Sequence, residues 1–413
     1  MRDVPMYNPT HRFESGRESN PTDNPSVRWQ QEFQDSVSEV AVWDDTVYVC
    51  LDGSGIVAIN RDGTPRWRLE TNTQMRSSPA VVDDTVYTGC EEPYFKDTGD
   101  YVYALATATG TEQWDFNTDA GVQSSPAVVD GTVYIGSNDN HVYALDATTG
   151  TLQWTFQTDS EVWSSPAVVD GTVYVGSNDG YIYALDAATG TREWAFEAGD
   201  RVNSSPTVMD GTVYVGSGPP IDGDGHLYAL DATAGTKYWK FDTGGAVRSS
   251  PAVIDGTVYV GSNDGYVYAI DSESGTQRWA FMTDGEVLSS PVVVDGTVYA
   301  GSHDNHVYAL DAASGSQRWS FETDGWVVSS PVVVDGTVYV GSNDNHLYAL
   351  GNGVDTQYQS EQLAGCPACG SDLSALDDPT FCPDCGTGLD SEDGSTTEVY
   401  DQQGTNTRVY EGD

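Results

Sequence analysis

Two sets of residues in this sequence could do chemistry at a definite spacing. The first lies near the C-terminus, in the stretches CPACG and CPDCG, where two residues separate Cys366 from Cys369 and Cys382 from Cys385. Four thiolates in a C-x2-C…C-x2-C pattern match the tetrahedral, sulfur-rich shell that Zn2+ prefers. Gly370 and Gly386 follow the two pairs and permit the tight turn that aims backbone amides at sulfur. Iron in a four-thiolate site and a pair of disulfides are the other states open to this spacing. A shell filled by four cysteines leaves no open coordination position, so the zinc would be structural. So small a module depends on its metal to fold, and zinc thiolates suit a reducing compartment.

The second set is spread along the chain. The tripeptide Ser-Ser-Pro recurs, and the residue before it is Arg76, Gln123, Trp163, Asn203, Arg248, Leu288 or Val328, with Trp326 just ahead of the last. Surroundings that hardly change thus hold one position that varies in charge, size and polarity. Arg and Trp are favoured anchors of binding sites; drift among near-identical repeats is the other reading. Other constellations are weaker. His141, His226, His306 and His346 share a repeat position with Tyr101, Tyr181 and Tyr266, which marks a packing or rim position and not a ligand set. His303 adds a second imidazole near His306. Asp222-Gly223-Asp224-Gly225 is a fragment of a calcium-loop pattern or a plain solvated turn. Cys50 and Cys90 are open to a disulfide or to two packed thiols. GxSxG, GxxxxGK[ST] and HExxH do not occur.

These residues must be positioned by a repeat. Val40, Pro79, Pro126, Pro166, Pro206, Pro251, Pro291 and Pro331 mark eight copies of one unit, at spacings of 39, 47, 40, 40, 45, 40 and 40 residues. Each copy reads as four short strands: SPAVV, a DG or DD turn into TVYVG, a loop into HVYAL, and a D-A-x-T-G-T turn into WxF. Four strands per copy, eight times over, is the arithmetic of an all-β, eight-bladed β-propeller. The eighth copy stops at Leu350 without its last strand, and Val27–Phe33 around Trp29 supplies it, closing the ring and hiding sheet edges. In such a ring the residue before Ser-Ser-Pro starts the innermost strand on the face from which the second-to-third-strand loops emerge. The varied set therefore lines a channel mouth. Two of those loops, Glu91–Asp100 and Gly218–Gly225, are enlarged.

The pattern A-x-D-x-x-x-G-x-x-x-W appears as Ala144, Asp146, Gly150 and Trp154, and as Ala184, Asp186, Gly190 and Trp194, with further copies ending at Trp239, Trp279 and Trp319. It resembles the tryptophan-docking motif of pyrroloquinoline-quinone (PQQ)-like propellers, a group that includes quinoprotein alcohol dehydrogenases and the propeller lipoprotein of outer-membrane assembly. The resemblance covers about 80% of the chain. Two copies depart: Ala106 replaces the Asp before Trp114, and Asn60 does so before Trp67. The quinoproteins hold their cofactor between a Trp and a disulfide of adjacent cysteines, with Ca2+ and an Asp base. This sequence has no adjacent cysteine pair, and almost every Asp sits in a repeated turn. The C-terminal stretch resembles a short zinc ribbon.

The resulting map is a lead-in at 1–26, the propeller at 27–350, a linker at 351–365, the zinc ribbon at 366–389 and a flexible acidic tail at 390–413. With 63 acidic against 17 basic residues the formal charge is −46, and the acid is distributed along the chain. That composition resembles proteins of salt-in halophiles, where a Debye length of about 3 Å at 1 M salt screens self-repulsion; a cation-binding or polyanion-mimicking surface is the alternative. Either disfavours nucleic acid and anionic membranes, and residues 351–407 contain no Lys or Arg. No apolar run approaches the about 20 residues of a membrane helix, and MRDVPMYNPTHRFESGRES has no apolar core for a secretory signal. The expectation is a monomeric, cytoplasmic, non-enzymatic scaffold with a protein or peptide partner at the mouth. A PQQ-dependent oxidoreductase and a small-ligand sensor are the other classes considered.

Overall fold

Each blade starts from its Asp-Gly turn, or in blades 1 and 2 from Asp44-Asp45 and Asp83-Asp84. In Asp130-Gly131 both residues have positive φ, 48° and 76°, as do Asp170-Gly171 at 50° and 81°. These are the angles of a type I′ turn, whose twist matches that of the strands it joins. The turn fixes the inner hairpin of blade 3, Ala127–Val129 with Thr132–Gly136, in the register Ala127↔Tyr134. His141–Asp146 and Leu152–Gln157 complete the antiparallel sheet, with a bulge at Ala144/Leu145. The second strand is buried along its whole length while the outermost alternates between buried and exposed residues. A blade buries both faces of its central strands against its neighbours and leaves only its outer edge wet.

The computed structural model describes residues 25–71, 73–91, 100–219 and 223–352. Over these the chain forms eight four-stranded sheets, and among the described residues no helix is long and apolar enough to cross a membrane. The chain divides into two units, Met1–Gly353 and Val354–Asp413. Cys366, Cys369, Cys382 and Cys385, most of the loop 91–100, and Asp222 lie outside the described residues.

The eighth sheet combines Val332–Val334, Thr337–Gly341 and His346–Gly351 with the N-terminal Ser26–Glu32, which pairs antiparallel with His346–Gly351. The split blade expected from the sequence is therefore present. Ser26 pairs with Gly351, so the chain enters and leaves the ring on the face that carries the Asp-Gly turns.

Blade contacts explain the A-x-D-x-x-x-G-x-x-x-W pattern as a relay between copies. Trp154 of blade 3 donates its indole N–H to the Ala187 carbonyl of blade 4 at 2.9 Å, and Tyr134 donates to the same oxygen at 3.1 Å. Gly190 of blade 4 has φ +69°, and a Cβ there would stand 2.6 Å from Trp154. Only glycine both adopts that backbone and admits the ring. Trp29 closes the circle on blade 1, donating to the Arg61 carbonyl at 2.7 Å. The blade with Ala106 still docks its neighbour: Trp67 donates to Thr107 at 2.7 Å and lies over Gly110. The Asp of the motif serves its own turn, where Asp146 accepts from the amide and the hydroxyl of Thr149, both at 2.9 Å.

Candidate functional site

The opposite face is organised by the two serines of Ser-Ser-Pro. The first ties the incoming chain to its own blade: Ser124 Oγ accepts the Gly136 amide at 3.1 Å and Ser249 Oγ the Gly261 amide at 2.8 Å. The second links blades in a belt around the axis. The Ser78 amide donates to Ser125 Oγ, Ser125 to Ser165 and Ser165 to Ser205, each at 2.9 Å. The belt continues through Ser250 and Ser290 to Ser330. The eighth position, in blade 1, is Glu39. It accepts the Ser78 hydroxyl at 2.8 Å and the Ser330 amide. Burial pushes its carboxyl up to about 7, against the lowering effect of both hydrogen bonds.

Just above the belt, fully buried valines such as Val122, Val162 and Val287 anchor the crossing segment, and a Cβ on Gly136 or Gly261 would collide with the valine over it. The crossing segment also bonds to the loop of its blade, as in Asn138 N–H to Gly121 O at 2.8 Å and Asn178 N–H to Glu161 O at 2.9 Å. Crossing segments and second-to-third-strand loops thus share one face, where Arg76, Gln123, Trp163, Asn203, Arg248, Leu288 and Val328 occupy equivalent points around the ring.

Neighbouring carboxylates engage two of them, Arg76 and Gln123, and the adjoining loop residues. Arg76 Nη2 lies 3.4 Å from Asp52 Oδ2. Glu91 accepts from Gln123 at 3.0 Å and from Asn138 at 3.3 Å, bridging blades 2 and 3. Glu161 accepts from Asn178 at 3.1 Å. Trp326 is 52% exposed and lies flat on His303, with centroids 4.6 Å apart and planes 10° from parallel. His303 Nδ1 is 3.6 Å from Glu286 Oε2. Burial, with help from nearby Arg248, pulls the His303 imidazole below its ordinary range despite Glu286.

Buried side-chain polar atoms without a protein partner concentrate here among the described residues: Asp52 Oδ1, Asn138 Oδ1, Asn178 Oδ1, Asn203 Oδ1, Asn263 Oδ1, Trp163 Nε1 and His303 Nε2. Such atoms must be met by water or a ligand.

The remaining candidates sit apart. His141, His306 and His346 each lie against the Asp two residues earlier and the Tyr two residues later in their own blade, at separate points of the rim. Cys50 and Cys90 are reduced thiols in the core between blades 1 and 2, Cys50 lying 3.8 Å from Thr88 Oγ1. Both side chains are fully buried. Glu39, Glu91 and Glu286 escaped the sequence reading. Glu39 was detectable as the one acidic residue at a serine position of the repeat, one step before Val40.

A family profile described as Outer membrane protein assembly factor BamB matches residues 22–92, 98–224, 178–293, 223–323 and 265–398. No curated protein matches the chain. Among solved structures, BamB from Moraxella catarrhalis is 19% identical and superposes with a TM-score of 0.67 over 79% of this chain and 99% of its own. The computationally designed Ika8 protein is 16% identical, with a TM-score of 0.68 over 78% and 98%. A europium-containing methanol dehydrogenase is 14% identical, with a TM-score of 0.67 over 82% and 95%. At these identities the structural neighbours share the fold alone, whereas the profile matches far more than half of the chain. With its docked tryptophans, eight blades and N-terminal closing strand, the chain belongs to the PQQ-like propeller family described as outer membrane protein assembly factor BamB.

Proposed function

We propose that the propeller is a non-enzymatic scaffold that receives a protein or peptide partner on its loop face, at Arg76, Trp163, Arg248 and Trp326. The observation that carries this reading is the concentration of buried, partnerless polar atoms on the one face whose side chains change from copy to copy. Membership of a family named for an assembly factor supports it. The C-terminal cysteines Cys366, Cys369, Cys382 and Cys385 would hold a structural Zn2+ in an appended ribbon.

The test is capture and then quantitative binding of the partner in molar KCl. Trp163→Ala combined with Arg248→Ala is expected to abolish binding while leaving the unfolding midpoint nearly unchanged. Binding that survives both substitutions would move the site elsewhere. Titration with PQQ, with and without Ca2+, followed by tryptophan fluorescence, is expected to be flat. Saturable one-to-one quenching would instead make the mouth a cofactor site.

A further inference from the structure

Trp326 occupies a point on the crossing segment where the other copies carry Ser36, Gln74, Gly121, Glu161, Arg201, Ala246 and Glu286. It is the one aromatic side chain in that set, and half of its surface is open. Its orientation is held from two sides. The Asn343 amide donates to the Trp326 carbonyl at 2.8 Å, and the His303 amide donates to the Glu286 carbonyl at 2.9 Å. These bonds hold an indole from blade 8 and an imidazole from blade 7 in a stack 4.6 Å apart. One indole face is thereby covered by a ring and the other faces solvent.

The surroundings select what can lie on the open face. The Glu286 side chain is 48% exposed, and Asp284 and Asp324 are exposed on the same two crossing segments. The protein as a whole carries a charge of −46. Of the charged groups acting on His303, Glu286 and Asp304 are acidic and Arg248 is basic. Burial lowers the affinity of the His303 imidazole for protons and so favours its uncharged form, which does not repel a cation above the indole. A flat cation suits this site: its charge is drawn to the negative face of the indole and its N–H groups can reach a carboxylate at the edge. Guanidinium is planar and weakly hydrated, so it stacks with less desolvation than an ammonium does.

We infer that Trp326, backed by His303 and flanked by Glu286, forms a subsite for an arginine side chain of the partner. This rests on the reading that the loop face receives a protein or peptide. The subsite itself can be tested without the partner, using the probe peptide acetyl-Gly-Arg-Gly-amide and its lysine and citrulline counterparts on the full chain. The readout is the indole N–H resonance of Trp326, assigned by its loss in Trp326→Phe. The arginine peptide is expected to shift that resonance saturably. The citrulline peptide, and Glu286→Gln with the arginine peptide, should each bind about fivefold or more weakly, as the loss of a cation–π or charge-assisted contact implies. Equal effects of lysine and arginine, spread over several indoles, would mean diffuse attraction to an acidic surface and would overturn the subsite. Partner binding separates the two claims. If Trp163→Ala with Arg248→Ala abolishes it while Glu286→Gln leaves it and arginine binding intact, the face stands and the subsite fails. If arginine binds Trp326 but none of these substitutions affects the partner, the docking face fails and the assignment of the subsite to the partner's arginine fails with it.

Discussion

The two faces of the ring are built from the same repeat and treat their polar atoms in opposite ways. On the turn face the Asp of the docking motif finds its donors close by in sequence. Asp311 accepts from the Ser314 amide and hydroxyl and from Arg318 Nη2, at 2.9, 2.8 and 2.8 Å, and Asp271 does the same with Ser274 and Arg278. The carbonyl beside each such turn is taken by the tryptophan of the preceding blade. On the loop face the corresponding positions differ from blade to blade, and buried oxygens and nitrogens are left without protein partners. A face that satisfies itself has to repeat, because every blade needs the same bonds to dock. A face that does not satisfy itself is free to vary and to bind.

The difference also appears in the carboxylates. Arg318 and the Ser314 hydroxyl hold Asp311 down to about 2, so the stability it contributes is present above its unfolded value and is lost as pH falls towards 2. Glu39 behaves in the reverse sense. Burial raises it to about 7, so its contribution is full below its unfolded value and is lost as pH rises through neutrality.

Three experiments would break or sharpen this contrast, and the largest effect belongs to the docking tryptophans. Trp154→Ala removes a ring that is 9% exposed and leaves the Ala187 carbonyl with one donor fewer. It should lower stability by about 3–5 kcal/mol, whereas Trp326→Ala should stay within about 0.5 kcal/mol. Denaturant unfolding compares them, and equal losses would erase the division between the faces. The second experiment concerns the belt. Wild-type stability should decline between about pH 4.5 and pH 7 by up to about 3 kcal/mol from Glu39 alone. Glu39→Gln keeps an acceptor for Ser78 and Ser330 and should flatten that part of the profile. A decline unchanged in the variant would remove Glu39 as its cause. The smallest effect is expected at the turn face: Arg318→Ala should cost under about 1 kcal/mol at pH 7, as a partly exposed ion pair does. That difference should shrink as pH falls from 4 towards 2, and a difference independent of pH would assign it to packing.

Much of the propeller was legible before any coordinates. The Asp-Gly turns specify hairpins through backbone conformation, and the alternation in TVYVG and HVYAL specifies strands. The copy that ends at Leu350, together with the orphan strand around Trp29, specifies closure. The mouth was legible only in part. The variable residues before Ser-Ser-Pro could be read as one ring because they share a repeat position, but their partners could not. Glu91 meets Gln123 from the following blade, and Glu39 meets Ser78 and Ser330 from the blades on either side. His303 was read beside His306, its neighbour in sequence, yet it stacks on Trp326 while His306 lies on Tyr308.

The sequence by itself determined the repeat, the strand pattern, the turn types and the order of the blades, because each depends on residues within about forty positions of one another and recurs eight times. Tertiary structure alone decided which unlike residues face one another on the loop face. There a crossing segment that enters one blade lies over the loop of the blade before it, and the contacts that result join single positions from different copies. A repeat cannot encode such contacts, because they arise where its copies differ.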